Sequence, residues 1–376
     1  MKIDSTAPQI NRLIWFLSLL ASPVVQDVNA QIVISEFQAL NESTYMDPET
    51  LSYSDWLEIY NGNPADADLS GYTLTDNLLQ PGKWKLPAGL ILPAGGFLVI
   101  WADGRDSGMH TNFRLNGSGE ELGLFSPEGQ PVDTVVYPQQ RSGYSTGRIS
   151  SSGVWAVFSS PTPGAPNPDS GFAGIAGEPL FSVPGGFYSS PVSLELSAPS
   201  TGGIVRYTVN GCEPDSSSAQ WQYPLDISST AVVRAREFRD NSLPGNTVSR
   251  TYFINEPGHD LPVVSISCDP DHLWDPQTGI YVNYMEEWER PCGFELFSSS
   301  GEPEIGFNAG LRIFGGTSRQ RAQKSLSIHA RSRYGTDVIR YPLLPGRKLD
   351  EYASFILRNG ANDWSGDWRG TLFRDA

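Results

Sequence analysis

The stretch "GGTSRQRAQKSLSIHA", Gly315 to Ala330, gathers the residue types best able to do chemistry at close spacing. Gly315 and Gly316 let the backbone approach a ligand closely, and the guanidiniums of Arg319 and Arg321 can clamp phosphate oxygens with paired donors. Lys324 opens a run of strand character. With a period of two it shares a face with Leu326, Ile328 and Ala330, while Ser325, Ser327 and His329 face the other way. A lysine on the apolar face at a strand start has two readings: its stem snorkels to the rim, or its ammonium points into a cleft and meets a phosphate. The loop is neither a Walker loop nor a G-x-G-x-x-G turn, so spacing alone does not decide.

Charge gives that stretch a context. Between Arg312 and Lys348 there are nine Lys or Arg and a single acid, Asp337, whereas Gln31 to Asn167 carries fifteen acids against six bases. Such a run either focuses a field that attracts phosphate or forms a basic face that pairs with the protein's own acids. The net charge of -16 repels phosphate backbones and anionic lipid, which argues against a nucleic-acid partner. Other clusters are weaker. "DPDHLWD", Asp269 to Asp275, lacks the glycine and closing glutamate of an EF-hand loop and reads as an Asp-Pro turn entering a short helix. His110, His259, His272 and His329 are scattered without metal-ligand spacing, and no serine sits in a G-x-S-x-G elbow. Neither a metal site nor a catalytic residue is assigned; Asp363 reads as a turn or N-cap residue, and Asp367 and Asp375 receive no role.

The elements that would position these residues are mostly strands. With 38 glycines and 29 prolines in 376 residues, the chain favours short strands joined by turns. "IVISEFQ", "DWLEIYN", "GGFLVIWA", "ELGLFSP", "PVDTVVY" and "VWAVFS" alternate with turn residues as in an antiparallel sandwich. "SPTPGAPNPDSG", Ser160 to Gly171, reads as a semi-rigid linker. A second block repeats the strand pattern in "VSLEL" and "VVRARE". From Leu261 strands mix with short helical turns, the mark of an α+β unit, and "TLFRDA" at the end reads as the first turn of a helix. Cys268 and Cys292 either bridge or stay buried thiols beside Cys212. Residues 1–30, with Lys2, Arg12, the apolar "LIWFLSLLASPVV" and Val28-Asn29-Ala30, read as a cleaved signal peptide, with no membrane span after it, so a secreted or cell-surface location is expected.

Three resemblances follow. "ISEFQALN", "DWLEIYN", "DLSGYTLTD", "KWKLPAGLILPAGGFLVIWADG", "GEELGLFSPEGQPVDTVVYP" and "PTPGAPN" resemble the bacterial lamin-tail domain over residues 31–167, which implies an immunoglobulin-like β-sandwich. After a linker at 168–177, "FYSSPVSLELSAPS", "GIVRYTVNGCEPDSSS" and "NTVSRTYFI", within 178–255, resemble the fibronectin type III-like sandwich appended to chitobiase-type enzymes. There Asn210 and Cys212 depart from the usual D-G-S-x-P turn. "LPVVSISCDPDHLWDPQTGIYVN", "FNAGLRIFGGTSRQRAQKSLSIHARSRYG" and "YASFILRNGANDWSGDWRGTLFRDA" resemble the spore-coat protein H kinase family over 261–376.

The expected protein is therefore mainly β: two sandwiches followed by an incomplete α+β kinase-like unit. Its expected function is that of a secreted, surface or adhesion-type binding protein, whose sandwiches hold an extracellular protein or polysaccharide. The kinase resemblance implies a fragment lacking the acids that hold Mg²⁺ and orient an acceptor. As it stands, the chain would need no cofactor; a complete kinase unit would use ATP and Mg²⁺ to phosphorylate extracellular protein hydroxyls. Lys324, Arg319, Arg321, Gly315 and Gly316 are the expected phosphate-binding residues. A carbohydrate-binding module protein is the remaining alternative.

Overall fold

The computed structural model describes residues 31–257, 260–343, 348–359 and 373–375. The signal-peptide reading of residues 1–30, His259, Asp363 and Asp367 fall outside the described residues. Three hydrophobic clusters organise the chain, each beneath its own sheets.

In the first, a five-stranded antiparallel sheet runs Trp155–Phe158, Ser145–Arg148, Ile32–Gln38, Trp56–Asn61, Phe97–Trp101. It faces a four-stranded sheet of Trp84–Lys85, Thr73–Thr75, Glu120–Phe125 and Pro131–Tyr137. Alternation in "WLEIYN" sends Leu57 and Ile59 into the core between the sheets, which leaves Trp56 and Glu58 on the opposite face. That face is not open to solvent, for both residues are fully buried. Its cover is the segment that composition alone marks as a linker. Thr162 donates through its backbone N–H and its hydroxyl to Glu36, and the Gly164 N–H donates to Glu58 Oε2 at 2.5 Å. Asn167 Nδ2 donates to the carbonyls of Ser35 at 2.9 Å and Arg148 at 2.8 Å. Proline and glycine keep this segment out of the sheet and leave its side chains free to satisfy buried carboxylates.

The second unit has a five-stranded sheet, Gly186–Tyr188, Val248–Ile254, Ala231–Phe238, Ile204–Thr208, Ala219–Gln220, antiparallel except for its first pair. In the third, a six-stranded antiparallel sheet runs Val263–Cys268, Arg290–Phe297, Pro303–Phe314, Ser325–His329, Ser354–Leu357, Phe373–Asp375. The mainly β fold class holds. Among the described residues the only α-helix is Pro270–Trp274, where Asp269 caps the N-terminus by accepting from the Asp271 N–H.

One expectation is corrected, and an open alternative is decided. "TLFRDA" does not open a helix: Phe373–Asp375 is extended and pairs with Ser354–Leu357. One turn cannot nucleate a helix unaided, whereas a sheet edge offers unpaired backbone donors and acceptors. Cys268 and Cys292 sit directly opposite each other in the antiparallel register and are free thiols, the second of the two alternatives.

The second and third units are joined by a built contact. Phe187 stacks on Phe253 with centroids 4.3 Å apart, and Phe297 meets both edge-on. Beside this cluster Thr251 Oγ1 donates to Glu295 Oε2 at 2.7 Å, and Asn308 Nδ2 donates to the Thr247 carbonyl. The first unit contacts both of the others: Arg141 donates to the Pro244 carbonyl, Asn246 to Gln139, and Arg333 to Glu42.

Candidate functional sites

The Gly315 to Lys324 loop joins two neighbouring strands of the third sheet. Gly315 takes φ of 116°, where a side chain would be strained, and Gly316 precedes the 3₁₀ turn Thr317–Gln320. Lys324 is buried just before Ser325–His329. Its ammonium donates to the carbonyls of Arg319 at 2.5 Å and Arg321 at 3.1 Å, and lies 4.2 Å from the centroid of the Tyr284 ring. Desolvation lowers its pKa. Lys324 thus fastens the loop that precedes it, and a phosphate would have to displace those carbonyls. Arg319 is also engaged, donating to the Met285 carbonyl at 3.3 Å and lying 3.6 Å from Glu287. Arg321 is exposed and has no ion-pair partner among the described residues.

The surrounding basic run is largely neutralised from within. Arg312 and Arg319 pair with Glu287, Arg331 and Arg333 with Glu289, and Arg340 with Asp337 and Glu351. Burial alone would lift Glu289, but the guanidiniums of Arg333 and Arg331 hold it below the ordinary carboxylate range. Of the two readings of this run, the structure selects pairing with the protein's own acids. The partners of Arg312, Arg319, Arg331 and Arg333 here come from "MEEWE", Met285 to Glu289, a segment too distant in sequence for a count of local charge to include.

A different set of basic residues is only partly matched by acids among the described residues. Where the three units meet, a cavity of about 230 Å³ is lined by Arg141, Arg234, Arg236 and Arg333, with Glu213 and Asn246 among its other walls. Arg234 is ion-paired to Glu213, and Arg333 to Glu42 and Glu289. Arg141 and Arg236 have no carboxylate partner among the described residues; each donates to a backbone carbonyl, of Pro244 at 2.8 Å and of Gly245 at 2.7 Å. Burial pushes both guanidiniums down, and the charge of Arg236 lowers Arg141 further. The charge of Glu213, on the same cavity wall, offsets part of this for both, so the two guanidiniums face one cavity with a single carboxylate near them that is already ion-paired to Arg234. Sequence reasoning missed it because its residues come from separate units, and no local motif joins Arg141 to Arg236.

A third cluster lies at the loop end of the first sandwich, where the buried His110 meets Asp47, Glu49 and Asp103. The scattered histidines conceal it, since its members are brought together by two loops.

Two family models match. Residues 26–139 match the Lamin Tail Domain model, and residues 183–249 match that of the Chitobiase/beta-hexosaminidase C-terminal domain. No curated protein matches the chain. The first sandwich is thus similar to lamin-tail domains and the second to the chitobiase-type C-terminal module, so this is a modular β-sandwich protein. Arg141 lies just after the lamin-tail match, while Arg234 and Arg236 lie inside the chitobiase-type one. The arginine cavity therefore draws on both sandwiches. No helix among the described residues is long and apolar enough to cross a membrane.

Proposed function

We propose that the protein is an exported modular binding protein that holds a carboxylate- or sulfate-bearing polysaccharide at the junction of its three units. The observation that carries this reading is the pair Arg141 and Arg236, half-buried around one cavity and without an ion-paired carboxylate among the described residues. A planar guanidinium matches an oxyanion with two parallel donors, and a bound anion would supply the missing counter-charge. The cavity, about 230 Å³, is smaller than the ~300–1,000 Å³ usual for drug-sized ligands. It suits one charged group on one sugar rather than a long stretch of polymer. Likeness of the second sandwich to a module of glycan-active enzymes supports the polysaccharide class, and the charged, apolar leader of residues 1–30 supports export.

The test is titration calorimetry with a polyuronate, a sulfated polysaccharide and a neutral chitin oligomer, on the parent chain and on the double variant Arg141→Ala/Arg236→Ala. Binding of an acidic polymer that weakens at least tenfold in the double variant is expected. Binding of the neutral oligomer alone, or acidic binding that the double variant leaves intact, rejects the reading.

A second reading has one observation in its favour. Lys324 stands at the head of an inner strand of a six-stranded antiparallel sheet, under a glycine turn with the exposed Arg321, which has no ion-pair partner among the described residues, beside it. Together with the resemblance to spore-coat protein H kinases, this supports a nucleotide-phosphate loop that would take ATP with Mg²⁺. Fluorescence titration with a labelled ATP, repeated on Lys324→Met, tests it. Saturable binding lost in the variant is required, and no binding by the parent chain rules it out.

A further inference from the structure

The His110 corner is built differently from a surface cluster of acids. Its ring is 2% exposed and both nitrogens face carboxylates: Nδ1 lies 3.0 Å from Asp103 Oδ2, while Nε2 lies 3.3 Å from Glu49 Oε2 and 3.9 Å from Asp47 Oδ2. A neutral imidazole has one N–H and one lone pair. If Nδ1 donates to Asp103, the Nε2 lone pair confronts two carboxylate groups. That arrangement is repulsive unless a positive charge sits between them, and a metal cation supplies one.

The loops around it hold the ligands in place. Asp47 is bridged to Ser52, and its carboxylate accepts from the Glu49 N–H at 2.8 Å and the Thr50 hydroxyl at 2.6 Å. His110 is bridged to Trp101, at the end of a core strand, and its N–H donates to the Ser107 carbonyl. Asp103 is steadied by the Arg105 N–H and the Arg105 guanidinium, both at 3.1 Å. Glu49 alone comes from solvent, with its side chain 71% exposed, which leaves a way in for an ion.

We infer that His110 Nε2, Asp47 and Glu49 bind a divalent transition-metal ion of the zinc type, with Asp103 as the positioning residue on Nδ1. Two ligand atoms ~2.0–2.1 Å from one tetrahedral zinc lie about 3.4 Å apart, close to the Nε2 to Glu49 distance and within a small rotation of the Nε2 to Asp47 one. A carboxylate fixing the far nitrogen is the usual support of a metal-bound histidine. The imidazole nitrogen favours zinc over magnesium or calcium, which prefer oxygen ligands throughout. Three protein ligands leave a fourth position for water. The ion would tie the Asp47 to Ser52 loop to the Asp103 to His110 loop, away from the arginine junction, so it depends on neither reading above.

The experiment uses the full chain, stripped with chelator and dialysed, then titrated with zinc sulfate by calorimetry, with bound metal counted by elemental analysis. Cobalt(II) in parallel reads coordination through its visible absorption. One zinc per chain is expected, together with a cobalt spectrum of tetrahedral type. Glu49→Gln, at an exposed position where folding is not at risk, is expected to weaken zinc at least tenfold, and Asp103→Asn by ~10–100-fold. His110→Gln removes binding if it folds. No zinc uptake at 100-fold molar excess would show that the corner takes no such ion and would overturn the inference. Uptake unchanged by Glu49→Gln and Asp103→Asn would place the ion elsewhere and overturn it equally.

Discussion

Replacing Glu295 by glutamine should stabilise the protein at high pH and do so progressively less as the pH falls. Glu295 lies on the Arg290–Phe297 strand, 6% exposed, in the seam between the second and third units, and accepts from Thr251 Oγ1. Burial lifts its pKa from 4.5 to about 7, against the opposing hydrogen bond of Thr251 and charge of Arg250. The folded chain therefore keeps this proton over a range in which the unfolded chain has lost it. Stability falls where the folded state binds more protons, so the loss begins near pH 4.5, grows until about pH 7 and then levels off. At about 1.4 kcal/mol per pH unit, the full effect is about 3 kcal/mol. Glutamine keeps an acceptor for Thr251 and never ionises, so the stability gap between Glu295→Gln and its parent should widen by about 2–3 kcal/mol from pH 4.5 to pH 8. Glu36, Glu58 and Asp55 are also lifted by burial, but they are common to both proteins and cancel in the difference. Urea unfolding followed by tryptophan fluorescence at five pH values measures the gap. A gap that stays constant, or favours the parent more as pH rises, would mean that Arg250 outweighs burial and that the argument is wrong.

Two further predictions rest on the third unit. Lys324→Met strips the Arg319 and Arg321 carbonyls of their donor, which should cost about 1–3 kcal/mol and speed tryptic cleavage after Arg319 and Arg321; a loop no more sensitive than the parent's would show that the lysine does not hold it. Cys268 and Cys292 are buried, with burial lifting the Cys268 thiol to about 12, so a thiol reagent at pH 8 should titrate only the half-buried Cys212 in the native protein and all three after denaturation. Fewer than three thiols in denaturant without reductant would reveal a bridge.

What the sequence disclosed and what it withheld divide along one physical line. Period-two alternation and turn residues are local signals, and they placed strands such as "IVISEFQ" and "DWLEIYN" and the Asp269-capped helix. The Lys324 register was legible too, since Ile328 and Leu326 join the third core as alternation requires. Partners were not legible, because partners are set by tertiary contact. "MEEWE" neutralises arginines 25 to 44 residues away in sequence, Glu49 meets a histidine 61 residues on, and the unpaired Arg141 and Arg236 are neighbours only because three units meet. The closing "TLFRDA" failed for the same reason: its local pattern allowed a helix, but a sheet edge claimed the backbone.

The cover of the first sandwich provides the last test. Asn167 is buried and spans two strands, donating to Ser35 on one and Arg148 on the next, while its Oδ1 lies 3.0 Å from the Thr162 hydroxyl. Thr162 in turn, together with Ser145, satisfies Glu36. Asn167→Ala leaves two carbonyls short of a donor and loosens the segment that shields Glu36 and Glu58. The direct loss is about 1–3 kcal/mol. The indirect effect has an opposite sign at high pH: once water reaches Glu36 and Glu58, their ionised forms are no longer penalised, and part of the burial cost that lifts Glu58 to about 7 is relieved. The variant should therefore be less stable than its parent by more at pH 5 than at pH 8, whereas loss of a neutral hydrogen bond alone would give one value at both. Equal destabilisation at the two pH values would show that the cover stays in place without Asn167, and that Thr162 and Gly164 suffice to hold it.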